Sequence, residues 1–323
     1  MGNRSFIKIT GSKDGCAYSN FFIYLPAGNE YYTEYRFVYV NNPIKEELVF
    51  SGGPNDPANC RFYRVREAYI GKLNEGVFCP SFRALQGGEI GFAFCEKGAG
   101  DFSGGFHGDE VLFRVSLKKD GAEISLDKEY FGSFDELSFE IESNIFRCNT
   151  PSDKLVLHKQ KYTVSGNRLN LAQYIEWLDD AKELVAAYVP MLTVQRLNPQ
   201  NKREILTDTV EFYTEEGGEL LKTFDTTPYG AELDGKFSES FCRDTRSTAV
   251  RVYGKNSGFS VEGGYKVVDG TIPDEQIDTH LCIRFASCLD NKIYFNIGKG
   301  TAPKASTVWK SDTFYRLTYL PEE

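Results

Sequence analysis

Histidine, tryptophan and methionine are all scarce: three, two and two residues in a chain of 323. That scarcity makes each imidazole a marker for chemistry. The eight cysteines include no Cys-x-x-Cys pair and no Cys/His grouping at zinc spacing, which argues against a structural zinc site. A chain this long needs no disulfide staples. Runs such as Phe92-Ala-Phe-Cys95 and Leu281-Cys-Ile283 place cysteines among apolar residues, so buried free thiols are expected. No window approaches the ~20 apolar residues of a membrane helix. The start, Met1-Gly-Asn-Arg-Ser5, has no signal-peptide pattern; as written the chain reads as cytoplasmic, with a secreted or phage-associated origin left open.

Positive charge is also in short supply. Against 46 Asp and Glu stand 37 Lys and Arg, a formal net charge of −9, and no basic stripe is visible. Neither nucleic acid nor membrane is therefore expected as a partner. The chain contains no Gly-x-Ser-x-Gly elbow, no His-Glu-x-x-His helix and no Walker loop. Its glycine-rich pieces, Lys97-Gly-Ala-Gly100 and Ser103-Gly-Gly105, precede a strand-like run rather than a helix, which disfavours phosphate binding. No cofactor is called for. A divalent cation at His107, Asp109 and Glu110 would need a loop, because residues on alternating strand faces cannot share one ion. There is no internal repeat or low-complexity linker, so one continuous domain over 1–323 is expected, with a soft boundary at 198–202.

Phenylalanine and tyrosine are abundant, 25 and 19 residues. Both favour strands. Short alternating runs recur along the chain: Tyr35 to Val40, Cys60 to Val65, Ile90 to Phe94, Leu155 to Val164, Arg168 to Trp177, Val189 to Arg196, Ala249 to Tyr253, Leu281 to Ser287, Lys292 to Ile297 and Phe314 to Tyr319. Turn pairs such as Asp120-Gly121 and Ser165-Gly-Asn167 separate some of them. The pattern predicts an all-β antiparallel sandwich or supersandwich with very little helix. The best helix signal is Asp179 to Ala187, which reads equally as a wide turn.

Three polar groupings stand out. In Phe102-Ser-Gly-Gly-Phe-His107-Gly-Asp109-Glu110, glycines give a ligand access and a strand follows to hold position. Strand periodicity puts Asp109 on the face of His107, where it would orient the ring. His158, Gln160 and Tyr162 share a second face, and Trp177 ends the next strand. Later, Arg251 pairs with Tyr253, His280 with Arg284, and Tyr294 with Asn296. Two guanidinium groups on neighbouring strands would suit a carboxylate.

The run Leu157-His158-Lys-Gln-Lys-Tyr162-Thr-Val followed by Leu169-Asn-Leu and Trp177 resembles the paired long strands of β-supersandwich proteins. So does Asn291-Lys-Ile-Tyr294-Phe with Val308-Trp309-Lys-Ser-Asp-Thr-Phe-Tyr315-Arg. The relatives are galactose-mutarotase-like sugar enzymes and the sandwich domains of polysaccharide lyases; the likeness covers the last half of the chain. It implies a carbohydrate ligand and, first, β-elimination on a uronate-containing saccharide. His107 or His158 would act as base or carboxylate neutraliser, Tyr162 or Tyr294 as acid, and Arg251 or Arg284 as clamp. Asp109, Glu110, Gln160, Trp177, Tyr253 and His280 would complete the binding set. The alternatives are a sugar mutarotase or epimerase, with Glu110 or Glu211 as carboxylate base, and a non-catalytic carbohydrate-binding or phage-tail-like structural protein. Oligomeric state is not fixed by the sequence.

Overall fold

The alternating runs form strands in the computed structural model of the chain, which describes residues 4–12, 17–42, 60–86, 90–150, 152–198, 200–201, 204–227, 235–241, 247–268, 278–285 and 290–321. The side chains of 235–241, 278 and 280–285 lie outside the described part. In chain order the strands are β1 (Ser5–Thr10), β2 (Phe21–Gly28), β3 (Tyr31–Asn42), β4 (Cys60–Asn74), β5 (Val77–Leu85), β6 (Ala93–Glu96), β7 (Glu110–Lys119), β8 (Ala122–Glu123), β9 (Glu129–Phe134), β10 (Leu137–Phe146), β11 (Lys154–Ser165), β12 (Arg168–Trp177), β13 (Leu184–Gln195), β14 (Thr209–Tyr213), β15 (Leu220–Asp225), β16 (Gly235–Phe241), β17 (Ala249–Tyr253), β18 (Phe259–Val268), β19 (Asp278–Phe285), β20 (Asp290–Asn296) and β21 (Val308–Tyr319). Among the described residues the only helical element is one 3₁₀ turn, Gly105–His107, and no helix is long and apolar enough to cross a membrane.

The ladders arrange these strands in two large sheets. The first runs β9-β1-β2-β3-β4-β5-β13-β20-β19-β16, with β6 also on the β13 edge. The second runs β8-β7-β10-β11-β12-β21-β18-β17-β14-β15. Nearly every ladder is antiparallel; the exception is β4 against β7, where Cys60 and Arg61 pair with Glu110 and Val111 in parallel. Strand β4 therefore joins the two sheets, since its far end pairs with β5.

Period-two burial decides which faces meet. In β10 and β12 every second residue is buried, and these side chains interdigitate with the first sheet. Phe21 meets Phe139 at 4.8 Å, Phe37 meets Tyr162 at 5.1 Å, Phe82 meets Phe259 at 5.1 Å and Tyr265 meets Phe295 at 5.3 Å. Each pair carries one ring from each sheet, so the core is an aromatic-rich layer between them. The two opposite faces look outward.

Two local expectations need correction. Asp179 to Ala187 forms no helix: Leu184 onward belongs to β13, and the backbone of Ala181 and Leu184 bonds to Pro303 and Thr301. Sheet pairing outweighs the weak capping signal. Among the cysteines, Cys60 is buried, Cys95 and Cys148 are half-buried, and Cys79 is exposed on β5, all as free thiols. Cys16, Cys242 and Cys288 lie outside the described residues, as does the side chain of Cys282.

Phe139 packs against Phe21, Phe37, Tyr63 and Tyr162 at the centre of this layer. Phe139→Ala should cost about 3–5 kcal/mol of unfolding free energy, read from denaturant melts. A change under about 1 kcal/mol would mean that the sheets do not meet there.

Candidate functional site

The glycine-rich segment singled out in the sequence is a turn rather than the start of a strand. Gly104, Gly105, Gly108 and Asp109 all have positive φ, at 93°, 53°, 89° and 53°. At Gly104 a Cβ would lie 2.8 Å from the Phe92 carbonyl oxygen, so glycine is required twice over, by conformation and by space. Strand β7 begins only at Glu110, which overturns the idea that Asp109 shares a strand face with His107. Asp109 is buried and serves the backbone: its carbonyl accepts from Phe146 N–H and its carboxylate from Asn149 N–H.

The residue that does reach His107 is Asp101, with Oδ1 3.5 Å from Nδ1. Both side chains keep a quarter of their surface in solvent. The hydrogen bond from His107 holds the Asp101 carboxyl below its ordinary range, helped by the Phe102 N–H. The imidazole stacks on Phe102 at 4.8 Å and meets Phe106 edge-on. Two thiols, Cys95 and Cys148, also interact electrostatically with Asp101. Burial raises both, Cys148 to about 11, so neither is the thiolate that a Cys–His nucleophile would need.

Beneath the turn lies a fully buried polar network. Glu110 Oε2 accepts from Gly105 N–H at 2.7 Å, and Oε1 accepts from the Ser143 hydroxyl at 2.6 Å and pairs with His158 Nδ1 at 2.9 Å. His158 Nε2 lies 3.0 Å from Gln173 Oε1, Gln160 Nε2 lies 3.2 Å from Nδ1, and the Tyr162 hydroxyl donates to Gln160. His158 and Glu110 have no solvent exposure, and Gln160 and Tyr162 have 3% and 2%. The polar stripe of His158, Gln160 and Tyr162 thus faces the interior and not a ligand-accessible cleft. Burial pushes the Tyr162 hydroxyl far above the usual tyrosine range, with Glu110 adding to the effect, so it does not serve as an acid near neutrality. Trp177 is likewise in the core, between Phe94 and Trp309.

His107 is brought together with a different set. On the outer face of the first sheet, Phe102 stacks on Tyr188 of β13 at 5.3 Å, and Tyr188 meets Tyr294 of β20 at 5.0 Å. Four rings therefore touch in sequence, from His107 to Tyr294, all partly exposed. Their neighbours in sequence, Ala187, Val189, Ile293 and Phe295, point into the core, which fixes the shelf outward. Arg64 supports the turn from β4, donating to the Phe106 carbonyl at 3.3 Å. The β19 backbone sets His280 opposite Tyr294; the side chains of His280 and Arg284 lie outside the described residues.

Arg251 and Tyr253 do not join this shelf. They lie on the outer face of the second sheet, where Arg251 is in register with Glu211 and Glu262, its guanidinium 4.7 Å from the Tyr253 ring centroid. The Tyr253 hydroxyl donates to Glu211 at 3.1 Å. This is a cross-strand charge ladder. Sequence reasoning missed Asp101, Phe102, Tyr188 and Arg64. Asp101 was legible only as a carboxylate opening the glycine-rich turn, and Tyr188 as the one ring among small apolar residues of β13.

The sequence matches no known family description and no curated protein. Solved structures with a similar chain course include galactose 1-epimerase from Lactobacillus acidophilus NCFM, at 9% identity, TM-score 0.34, over 98% of this chain and 99% of that one. A galactose mutarotase related enzyme from Lactobacillus acidophilus gives 10% identity and TM-score 0.37 over 93% of this chain and 99% of that one. A quadruple mutant of alpha-N-acetylgalactosaminidase NagBb from Bifidobacterium bifidum gives 8% identity and TM-score 0.39, over 79% of this chain. The match spans 34% of that enzyme's chain.

Glu110→Ala leaves the Gly105 N–H, the Ser143 hydroxyl and His158 without their shared acceptor, and should cost about 3–5 kcal/mol; Glu110→Gln, which keeps one acceptor oxygen, should cost less. Equal stability of all three proteins in denaturant would rule out the network as an anchor. Asp101 gives a pH test. Its folded value lies below the ordinary 3.8, so its contribution is full above 3.8 and is lost as pH falls through the depressed value. The stability gap between wild type and Asp101→Asn should therefore close on acidification, followed by denaturant melts across that range. A gap that widens toward acid would contradict the pairing.

Proposed function

We propose that the chain binds a sugar on the Phe102, Tyr188 and Tyr294 shelf and that His107 moves a proton on it, interconverting anomers at the sugar's reducing carbon. The observation that carries this reading is a partly exposed imidazole, held at Nδ1 by Asp101 and stacked on the first ring of an outward aromatic row. Aromatic faces suit the C–H faces of a sugar ring, and an imidazole has one nitrogen that can accept a proton and one that can donate it.

Anomer interconversion needs two such transfers. A base takes the proton of the anomeric hydroxyl while an acid protonates the ring oxygen. The bond from the anomeric carbon to the ring oxygen breaks, the carbonyl form rotates, and reclosure returns both protons. His107, with Asp101 orienting its ring, fills one role, and solvent water at this partly exposed face is the second proton carrier. Elimination on a uronate has less support. Its acid–base pair from β11 is buried, and Arg251 stands on the other sheet.

Polarimetry on freshly dissolved α-glucose and α-galactose tests the proposal. Wild-type protein should accelerate the approach to equilibrium, and His107→Ala should lower kcat at least about 10²-fold with KM little changed. No acceleration by folded wild-type protein overturns the catalytic assignment. An ultraviolet-absorbing unsaturated product from a uronate polymer would favour elimination in its place.

A further inference from the structure

The outer face of the first sheet carries a second polar station, well away from His107. It is a hollow of ≈ 230 Å³ lined by Tyr69 of β4, Pro80 to Arg83 of β5, and Asn198 and Gln200 of the loop after β13. Its walls are fixed in advance. The Arg36 guanidinium lies 4.0 Å from the Tyr69 ring centroid, and the Tyr69 hydroxyl donates to Glu67 at 3.1 Å. Arg83 Nε donates to Gln195 Oε1 at 3.0 Å while its Nη1 sits 3.5 Å from Glu67. Asn198 donates to Glu204 and accepts from the Gln200 N–H, which stiffens the loop rim.

Charge decides the class of ligand. Arg36 and Arg83 both contact Glu67, and Arg36 also pairs with Glu34 at 2.6 Å. Among the described residues two cations thus face three carboxylates, Glu34, Glu67 and Glu204 at the rim, so these walls carry no surplus positive charge with which to select an acidic ligand. What it offers is a tyrosine ring, amide donors and acceptors, a serine hydroxyl at Ser81 and guanidinium N–H groups. Those groups match an uncharged, hydroxyl-rich ring with one apolar face. The volume is below the ~300 Å³ of the smallest usual ligand pockets, which fits one ring seated by a single side.

We propose that this hollow is a separate binding site for a neutral glycosyl unit. Tyr188 and Gln195 are seven positions apart along β13, which puts the two stations roughly 20 Å apart on one sheet face. Between them Met191, Thr193 and Lys292 are buried, so they are two stations and not one open groove. The ligand class rests on the proposed function, but the site itself does not share a residue with it. The hollow would hold an inner or terminal unit of a neutral oligosaccharide and tether that substrate to the protein.

Calorimetric titration of neutral gluco- and galacto-oligosaccharides of two to five units tests this, on wild type, His107→Ala, Gln200→Ala, and the Asn198→Ala/Gln200→Ala pair. Gln200 is exposed, so its variant should fold normally, as circular dichroism will check. Binding should persist in His107→Ala and weaken at least about tenfold in both loop variants, whose monosaccharide turnover should equal wild type. Oligosaccharide affinity untouched by either loop variant overturns the second site, even if His107-dependent turnover is seen. Loop-dependent binding without any turnover overturns the His107 reading alone and keeps this site. Preference for acidic over neutral oligosaccharides overturns the ligand class.

Discussion

The carboxylate of Glu110 holds this architecture to its candidate site. It is completely buried at the point where β7 leaves the glycine-rich turn and runs beside β4. A buried carboxylate is costly unless its lone pairs are used, and here a backbone N–H, a hydroxyl and an imidazole use them. The Gly105 N–H belongs to the turn, while Ser143 and His158 belong to β10 and β11 of the second sheet. The first sheet grips the same turn through Arg64 and through backbone pairing of Phe94 with Ser103. A turn with four positive-φ residues is conformationally expensive, and these contacts from both sheets select its one geometry.

That geometry explains why two histidines noticed for the same reason have different fates. His158 orders the interior, and His107 reaches the surface through a turn that His158 helps to anchor. The coupling runs through one residue, since Glu110 touches both the imidazole and the turn backbone. A histidine in the core is more often a satisfied polar group than a ligand-facing one, and the pairing of His158 with Glu110 and Gln173 fits that pattern.

The all-β class, many strand positions and hairpin turns such as Asp120-Gly121 were legible in the sequence, because period-two burial and left-handed turn residues are local signals. The face on which each stripe sits was harder to read, yet β11 contained the answer. Its sequence His158-Lys-Gln-Lys-Tyr162 alternates the polar stripe with Lys159 and Lys161, and two lysines mark the solvent side far more strongly than histidine or glutamine do. The lysines are indeed the exposed set, paired with Glu142 and Glu140 across β10. Asp101 was hidden for another reason. Its pairing with His107 depends on the chain doubling back through Gly104 and Gly105, a nonlocal consequence of positive φ that strand periodicity cannot anticipate.

The two outer faces diverge in chemistry because their polar residues are spent differently. On the second sheet Arg251, Glu211 and Glu262 stand in register on three neighbouring strands, a partly exposed ladder in which Glu262 pairs with Arg316. On the first sheet the ladder of Arg36, Glu67 and Arg83 is likewise half-buried, and its contacts hold the Tyr69 ring and the Gln195 amide in fixed positions. Sheltered, pre-paired groups lose little entropy when a ligand arrives, whereas exposed flexible ones must be ordered first. Preorganisation, more than the number of polar residues, is therefore the physical feature on which both proposed sites of the first sheet, the aromatic shelf and the Tyr69 hollow, depend.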